Sequence, residues 1–250
     1  MRSADDAEVR PIDLSITKDV LGLMINSAVL VALILYCSRW YRRNTVEKGA
    51  PKGLVGMMEA LVLMIYEDVI KEGIGEDYKR FTPYLLTAFF FILINNLMGL
   101  LPIFPGGANI TGNIAITLVL ALCTFLLTNL FGTKEYWKEI FWPDVPWWMK
   151  VPVPLMPVIE FFGIFTKPFA LMIRLFANIM AGHAAILSLI AIIFITVKVG
   201  AFINGTMTFM AVIFSIFMTF LEILVAFIQA YVFTMLSAVF IGLARVKHTK

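Results

Sequence analysis

PVIEFFGIFTKPFALMIRLFANIMAGHAAILSLIAIIFITV (residues 157–197) and GTMTFMAVIFSIFMTFLEILVAFIQAYVFTMLSAVFIGL (residues 205–243) decide the fold class. Both runs are apolar with few charges: Glu160, Lys167 and Arg174 in the first and Glu222 in the second. Each is about 40 residues long and would measure roughly 60 Å as a helix. The hydrocarbon core of a bilayer is about 30 Å thick. The two runs therefore read as membrane helices that are steeply tilted, kinked or partly outside the bilayer. The rest of the chain agrees with this. Of 250 residues, 60% are hydrophobic and only 15% charged, whereas a soluble domain is about 45–50% apolar and about 25% charged. So few charges cannot cover a water-facing surface. The sequence predicts an all-α, polytopic membrane protein forming a single membrane domain over residues 1–250.

Three further apolar runs bring the expected number of spans to five: residues 20–38, 83–101 and 112–131. The first closes on Arg39-Trp40-Tyr41-Arg42-Arg43, an aromatic and basic cluster suited to the headgroup layer. With the amino terminus outside, the inner segments hold Arg39, Arg42, Arg43, Lys48, Lys52, Lys71, Lys79, Arg80, Lys134, Lys138, Lys150, Arg245, Lys247 and Lys250. The outer segments hold only Arg2, Arg10, Lys18 and Lys198. The positive-inside rule thus sets the amino terminus outside and the carboxyl terminus inside. Residues 1–19 lack an apolar centre and read as an outer segment, so the first span is expected to direct insertion. Residues 53–72 place Leu54, Met57, Met58, Leu61, Ile65 and Val69 at helical spacing against Glu59, Glu67, Asp68 and Lys71, which predicts an interfacial amphipathic helix. Residues 132–152 read as an inner loop rich in tryptophan, a residue that prefers the interface.

Several chemistries find no support. Phosphate-loop, HExxH and CxxC motifs are missing from the sequence, and no motifs fall at metal-ligand spacing. Cys37 and Cys123 lie in apolar runs and read as small buried hydrophobes. No cofactor, metal or nucleic acid is expected, and the chain is not expected to be an enzyme.

Ionisable groups inside hydrocarbon are costly and mark candidate sites. The fourth run carries Glu160, Lys167, Arg174, Asn178 and His183, and the fifth carries Glu222 and Gln229. Glu160, Lys167 and Arg174 are spaced by seven, and Asn178 follows four later, so all four fall within roughly 40° on one helix face. His183 lies about 180° from Arg174 and about 13 Å further outward, while Glu160 lies about 21 Å inward. His183 is thus expected to meet different neighbours from Arg174 and Asn178. Glu222 and Gln229 share a face of the fifth helix. A permanently charged guanidinium flanked by a carboxylate on one side and an imidazole on the other suits two offset ion pathways. Plainer readings stand beside this one. Glu160 and Lys167 could be snorkelling residues, Asn178 and Gln229 interhelical bridges, and Arg174 one half of a salt bridge to Glu222. His183 could be a satisfied interhelical histidine. Asn95 and Asn96 read as helix caps or bridges.

The run IEFFGIFTKPFALMIRLFANIMAGH (159–183), with its RLF-N-x-x-AG pattern, resembles the signature of subunit a of F-type ATP synthases. FILINNLMGLLP (91–102), ANITGNIAITLVLAL (108–122) and LEILVAFIQAYVFTMLSAVFI (221–241) are similar to other parts of that family, in the same order. The resemblance implies a proton-translocating stator subunit with two half-channels. Arg174 would be the essential arginine facing a rotor ring of c subunits, with Asn178 beside it. Glu160 would belong to the inner half-channel, and His183, Glu222 and Gln229 to the outer one. The implied partners are the c-ring, the peripheral stalk b subunits and the lipid membrane, with one copy of this chain in a hetero-oligomeric complex. A bacterial plasma membrane is favoured over a mitochondrial inner membrane, and H⁺ over Na⁺. Two rivals remain at this level. One is a secondary transporter, which would be expected to show inverted repeats that are not visible here. The other is an assembly subunit in which Arg174 only pairs with Glu222.

Overall fold

The computed structural model describes residues 18–43, 51–100, 113–141, 155–198 and 200–245. The outer segment expected over residues 1–19, the Pro/Gly turn after the second span and most of the tryptophan-rich loop lie largely or wholly outside the described residues. What is described is helical: α1 (Lys18–Arg43), α2 (Leu54–Met64), α3 (Glu72–Ile74), α4 (Tyr78–Leu100), α5 (Ile114–Leu130), α6 (Lys134–Phe141), α7 (Leu155–Thr196) and α8 (Ala201–Arg245). The chain is an all-α, multi-pass membrane protein. Among the described residues, four stretches are long and apolar enough to cross a bilayer: Val20–Arg43, Leu54–Leu100, Phe161–Thr196 and Ala201–Arg245. α5, with 17 residues, is shorter and sits at the lower limit for a span. It starts one residue after Asn113, whose side-chain oxygen accepts from the Ala115 N–H at 3.0 Å, a standard N-cap contact.

Two expected features differ from what is observed. Residues 53–72 do form a helix with two faces: Met58, Ile65 and Val69 are buried as expected and Glu67, Asp68 and Lys71 exposed, but Leu54 and Met57 are exposed while Val55, Ile70 and Ile74 join the buried side. The cause is a π-helical stretch, Ile65–Lys71. Its wider turns shift the phase of the side chains, so that Val69 and Ile70 both point inward. A 3-10 turn, Gly75–Asp77, then leads into α4, which begins five residues before the expected position. Pro83 falls inside this helix. Thr82 and Thr87 hydroxyls donate back to the carbonyls of Tyr78 and Pro83 at 2.8 and 2.7 Å. The second difference is α6, a helix inside the segment read as an inner loop.

α7 and α8 are each uninterrupted, at 42 and 45 residues, and Pro168 does not end α7. They form a hairpin. Gly200 takes φ 141, a conformation that side chains disfavour. The Thr196 hydroxyl donates to Asn204 Oδ1 at 3.0 Å, and the Asn204 N–H donates to the Gly200 carbonyl at 2.9 Å. α8 packs along α7, α4 and α3, and α5 lies against α7. The crossing with α3 is a backbone contact, because a Cβ on Gly242 would run into the Gly73 carbonyl. Without a hydrophobic drive between helices in lipid, such close approach and interhelical hydrogen bonds do the holding. The latter include Asn26 Nδ2 to Asn95 Oδ1 at 3.0 Å, joining α1 to α4, and a chain from the Tyr84 hydroxyl to Thr124 (2.8 Å) and on to Ser237 (3.3 Å). At one end, Arg245 ion-pairs with Asp77 and donates to the Phe131 carbonyl at 3.2 Å.

Candidate functional site

Where α7 and α8 leave the bundle, α4, α7 and α8 enclose a small polar cavity of about 30 Å³, room for one or two waters. α8 contributes Glu222 and Gln229, α7 contributes Asn178, Gly182 and His183, and α4 contributes Asn96. Asn178 Nδ2 donates to Gln229 Oε1 at 2.6 Å, bridging the two long helices. Gln229 is buried and His183 half-buried. Glu222 directs a buried Oε1 into this space with no hydrogen-bond partner. A buried carboxylate oxygen without a donor is costly.

The seven-residue spacing of Glu222 and Gln229 does bring both side chains to one face. The expected separation of Asn178 from His183 does not hold, since both line this cavity. Gly182 supplies the reason. It lies between them on the helix surface and has no side chain, so the sector they flank stays open. A Cβ at position 182 would stand 2.6 Å from Glu222 Oε1. Gly182 closes the RLF-N-x-x-AG pattern in the sequence but was given no role there, and its place inside a helical run was a further signal. Asn96 bridges helices as expected, donating to the Ala226 carbonyl at 3.4 Å. It also leaves a buried Oδ1 unpartnered beside the cavity.

Arg174 lies one turn before Asn178 on α7, is exposed, and stays outside the cavity. It forms no ion pair with Glu222. Among the described residues the ion pair present is Arg245 with Asp77, so the plainer reading of Arg174 as the partner of Glu222 fails. Lys167 turns toward α8, with its amine 5.6 Å from the Phe240 ring centroid. There it lines a second small space together with Thr128, Asn129 and Tyr136. Glu160 sits in the early turns of α7, and its side chain falls outside the described residues. No group of three His, Cys, Asp or Glu side chains comes together among the described residues.

The site thus gathers a half-buried Glu222 with one unpartnered buried oxygen, the His183 imidazole and an amide bridge, with the exposed Arg174 one turn away. Residues 23–242 match the family model described as ATP synthase A chain. The chain belongs to this family. The ATP synthase subunit a of Chloroherpeton thalassium is 43% identical over 244 residues, covering 95% of this chain and 68% of that protein. The subunit a of Chlorobium phaeobacteroides is 48% identical over 239 residues, covering 93% of this chain and 66% of that protein. The subunit a of Myxococcus xanthus is 38% identical over 239 residues, with coverage of 93% and 74%. The chain thus spans about two thirds of the length of the first two relatives.

Proposed function

We propose that this chain is the proton-conducting stator subunit of an F-type ATP synthase, working against a ring of c subunits and held by peripheral stalk b subunits. The observation that carries this reading is the unpartnered Glu222 carboxylate in the cavity it shares with His183, Asn178 and Gln229. In this reading a proton enters from the outer side through water near His183 and Glu222 and passes to a carboxylate of the ring, while the Asn178–Gln229 bridge holds the two long helices together beside the path. The neutralised carboxylate then rotates through lipid. After nearly a full turn it meets the inner pathway near Glu160 and releases its proton. Arg174, exposed on the α7 surface, faces the ring. Its guanidinium keeps its charge at all relevant pH. It attracts the ionised carboxylate and repels any proton that would pass straight between the pathways. One charge moving through 100 mV supplies about 2.3 kcal/mol, which drives the rotation.

The chemistry of the cavity favours H⁺ over Na⁺. It offers one carboxylate, an imidazole and amides, whereas a hard cation takes several oxygen ligands. The acceptor carboxylate belongs to the ring, so this chain supplies access and a barrier and performs no reaction of its own. The same reading sets the amino terminus outside and the carboxyl terminus inside, with α7 and α8 tilted, in a bacterial plasma membrane. The test is proton-driven ATP synthesis in vesicles carrying the assembled complex. Arg174→Ala abolishes synthesis and leaves assembly intact if the reading holds. Wild-type synthesis by that variant rejects it.

A further inference from the structure

We propose that Asn129 and Phe240 form a tether that holds the Lys167 ammonium away from the inner proton route, a positioning role that rests on the reading of that route given above. Glu160, Lys167 and Arg174 are spaced by seven, so they share one sector of α7 and follow one another at roughly 10 Å along the axis. A proton that leaves a ring carboxylate opposite Arg174 for the inner side must pass the level of Lys167. Lysine is long and flexible, and helical side chains lean toward the helix N-terminus. An untethered Lys167 would therefore lie over the stretch between positions 167 and 160, on the route itself. A positive charge within about 5 Å of that route, at an effective dielectric constant of about 20, slows a departing proton more than about tenfold.

The ammonium stands elsewhere. Its Nζ is 5.6 Å from the centroid of the Phe240 ring on α8, within reach of a cation–π attraction. Lys167 also lines a space of about 10 Å³ together with Thr128, Asn129 and Tyr136. Asn129 Nδ2 donates to the Phe125 carbonyl at 2.8 Å, which fixes the amide and leaves Oδ1 as the acceptor. That Oδ1 is buried and has no partner. The Thr128 hydroxyl donates to the Thr124 carbonyl at 2.8 Å, so it is not the missing donor. An ammonium carries three N–H donors and no acceptor. The space has room for a single water. A water that accepts from Lys167 and donates to Asn129 Oδ1 satisfies both groups. The charge is then held from two sides, by the aromatic face on α8 and through the water by the amide on α5.

The test uses the assembled complex in inside-out vesicles, with two measurements. One is labelling of Lys167 by a water-soluble N-hydroxysuccinimide ester, read by peptide mass spectrometry. The other is proton-driven ATP synthesis. Asn129→Leu keeps the bulk of the side chain and removes the acceptor. It raises labelling of Lys167 about tenfold, the worth of a hydrogen bond to a charged group, and lowers synthesis by a similar factor. Phe240→Leu changes both in the same direction. Lys167→Gln alone keeps most of the wild-type rate, and the double variant Asn129→Leu, Lys167→Gln regains it, because no cation is left to hold. A merely structural Asn129 would not be rescued by removing its neighbour's charge. Labelling that Asn129→Leu leaves unchanged overturns the proposal. A loss of synthesis that Lys167→Gln fails to restore, or an equal loss in Lys167→Gln alone, overturns it as well. Labelling does not involve the ring, so it reports on the tether separately from the Arg174→Ala result that decides the ring reading.

Discussion

The two halves of α8 have nearly the same apolar content and quite different surroundings. From Ala226 to Ala244 the helix buries Gln229, Ala230, Phe233, Thr234, Ser237, Ala238, Ile241 and Gly242 against α3, α4 and α7. From 201 to 225 only Ala211 is buried. There the large side chains stand out, with Phe202 88% and Phe220 69% exposed. α7 repeats the pattern, burying Ile164, Leu171, Met172 and Leu175 and then nothing over residues 176–196. Alanine and glycine at helical spacing (Ala226, Ala230, Ala238, Gly242) mark the packed half, and bulky apolar residues on every side mark the free half. In lipid, tails are as apolar as leucine, so bulk alone drives no association. Only a face that lets backbones approach, or that carries hydrogen bonds, becomes an interior. The polar cavity lies at the boundary. It is anchored by the packed half through Gln229, and Glu222 reaches it from the free half. That position gives the site a rigid floor and leaves Arg174 accessible to a partner.

This contrast can be broken most severely at the α3–α8 crossing. Gly242→Val drives side-chain atoms into the Gly73 backbone, which cannot yield as a flexible side chain can. We expect a loss above about 4 kcal/mol, the range of the most disruptive single substitutions, seen as failure to recover folded chain after detergent extraction. Full recovery would show that the packed half is looser than described.

At the boundary the expected effect is smaller. Gly182→Val fills the open sector between Asn178 and His183 and displaces the Glu222 carboxylate. Overpacking of this kind costs about 1–3 kcal/mol, so the chain still folds, but passive proton conduction by the membrane sector in vesicles falls at least tenfold. Unchanged conduction would remove the cavity from the pathway.

The free half should barely respond. Phe214→Leu exchanges one lipid-facing apolar group for another, and we expect a change within about 0.5 kcal/mol in the unfolding of the isolated chain in detergent. A larger loss would mean that this surface packs internally after all.

Much of this was legible from the residues. Apolar run length alone identified α1, α4, α7 and α8, because twenty or more uncharged residues have few other fates. The grouping of Glu222 with Gln229 followed from a spacing of seven on an unbroken helix. The misread parts share a cause, since each depends on a local departure from regular helix geometry or on an absent side chain. The π-helical turn at Ile65–Lys71 brings Ile70 into the interior beside Val69, which ideal periodicity did not show, and neither Ile65 nor Lys71 signals such a turn. Gly182 joined Asn178 and His183 into one cavity, which angles around a helix axis could not show. That Asn96 bridges helices was expected, but its partner, the Ala226 carbonyl 130 residues away, and its place beside the cavity became visible only when α4 was set against α8.

The central claim is that Arg174 acts through a permanent charge exposed to a partner and not through an internal ion pair. Arg174→Lys tests it most directly. Lysine keeps the charge in water, but its ammonium loses its proton readily when desolvated, whereas guanidinium does not. The measurement is proton-driven ATP synthesis by the reconstituted complex carrying this variant, with assembly checked by subunit composition. The account predicts a fully assembled complex with no measurable synthesis. A fully assembled complex that synthesises ATP at near wild-type rate would contradict it.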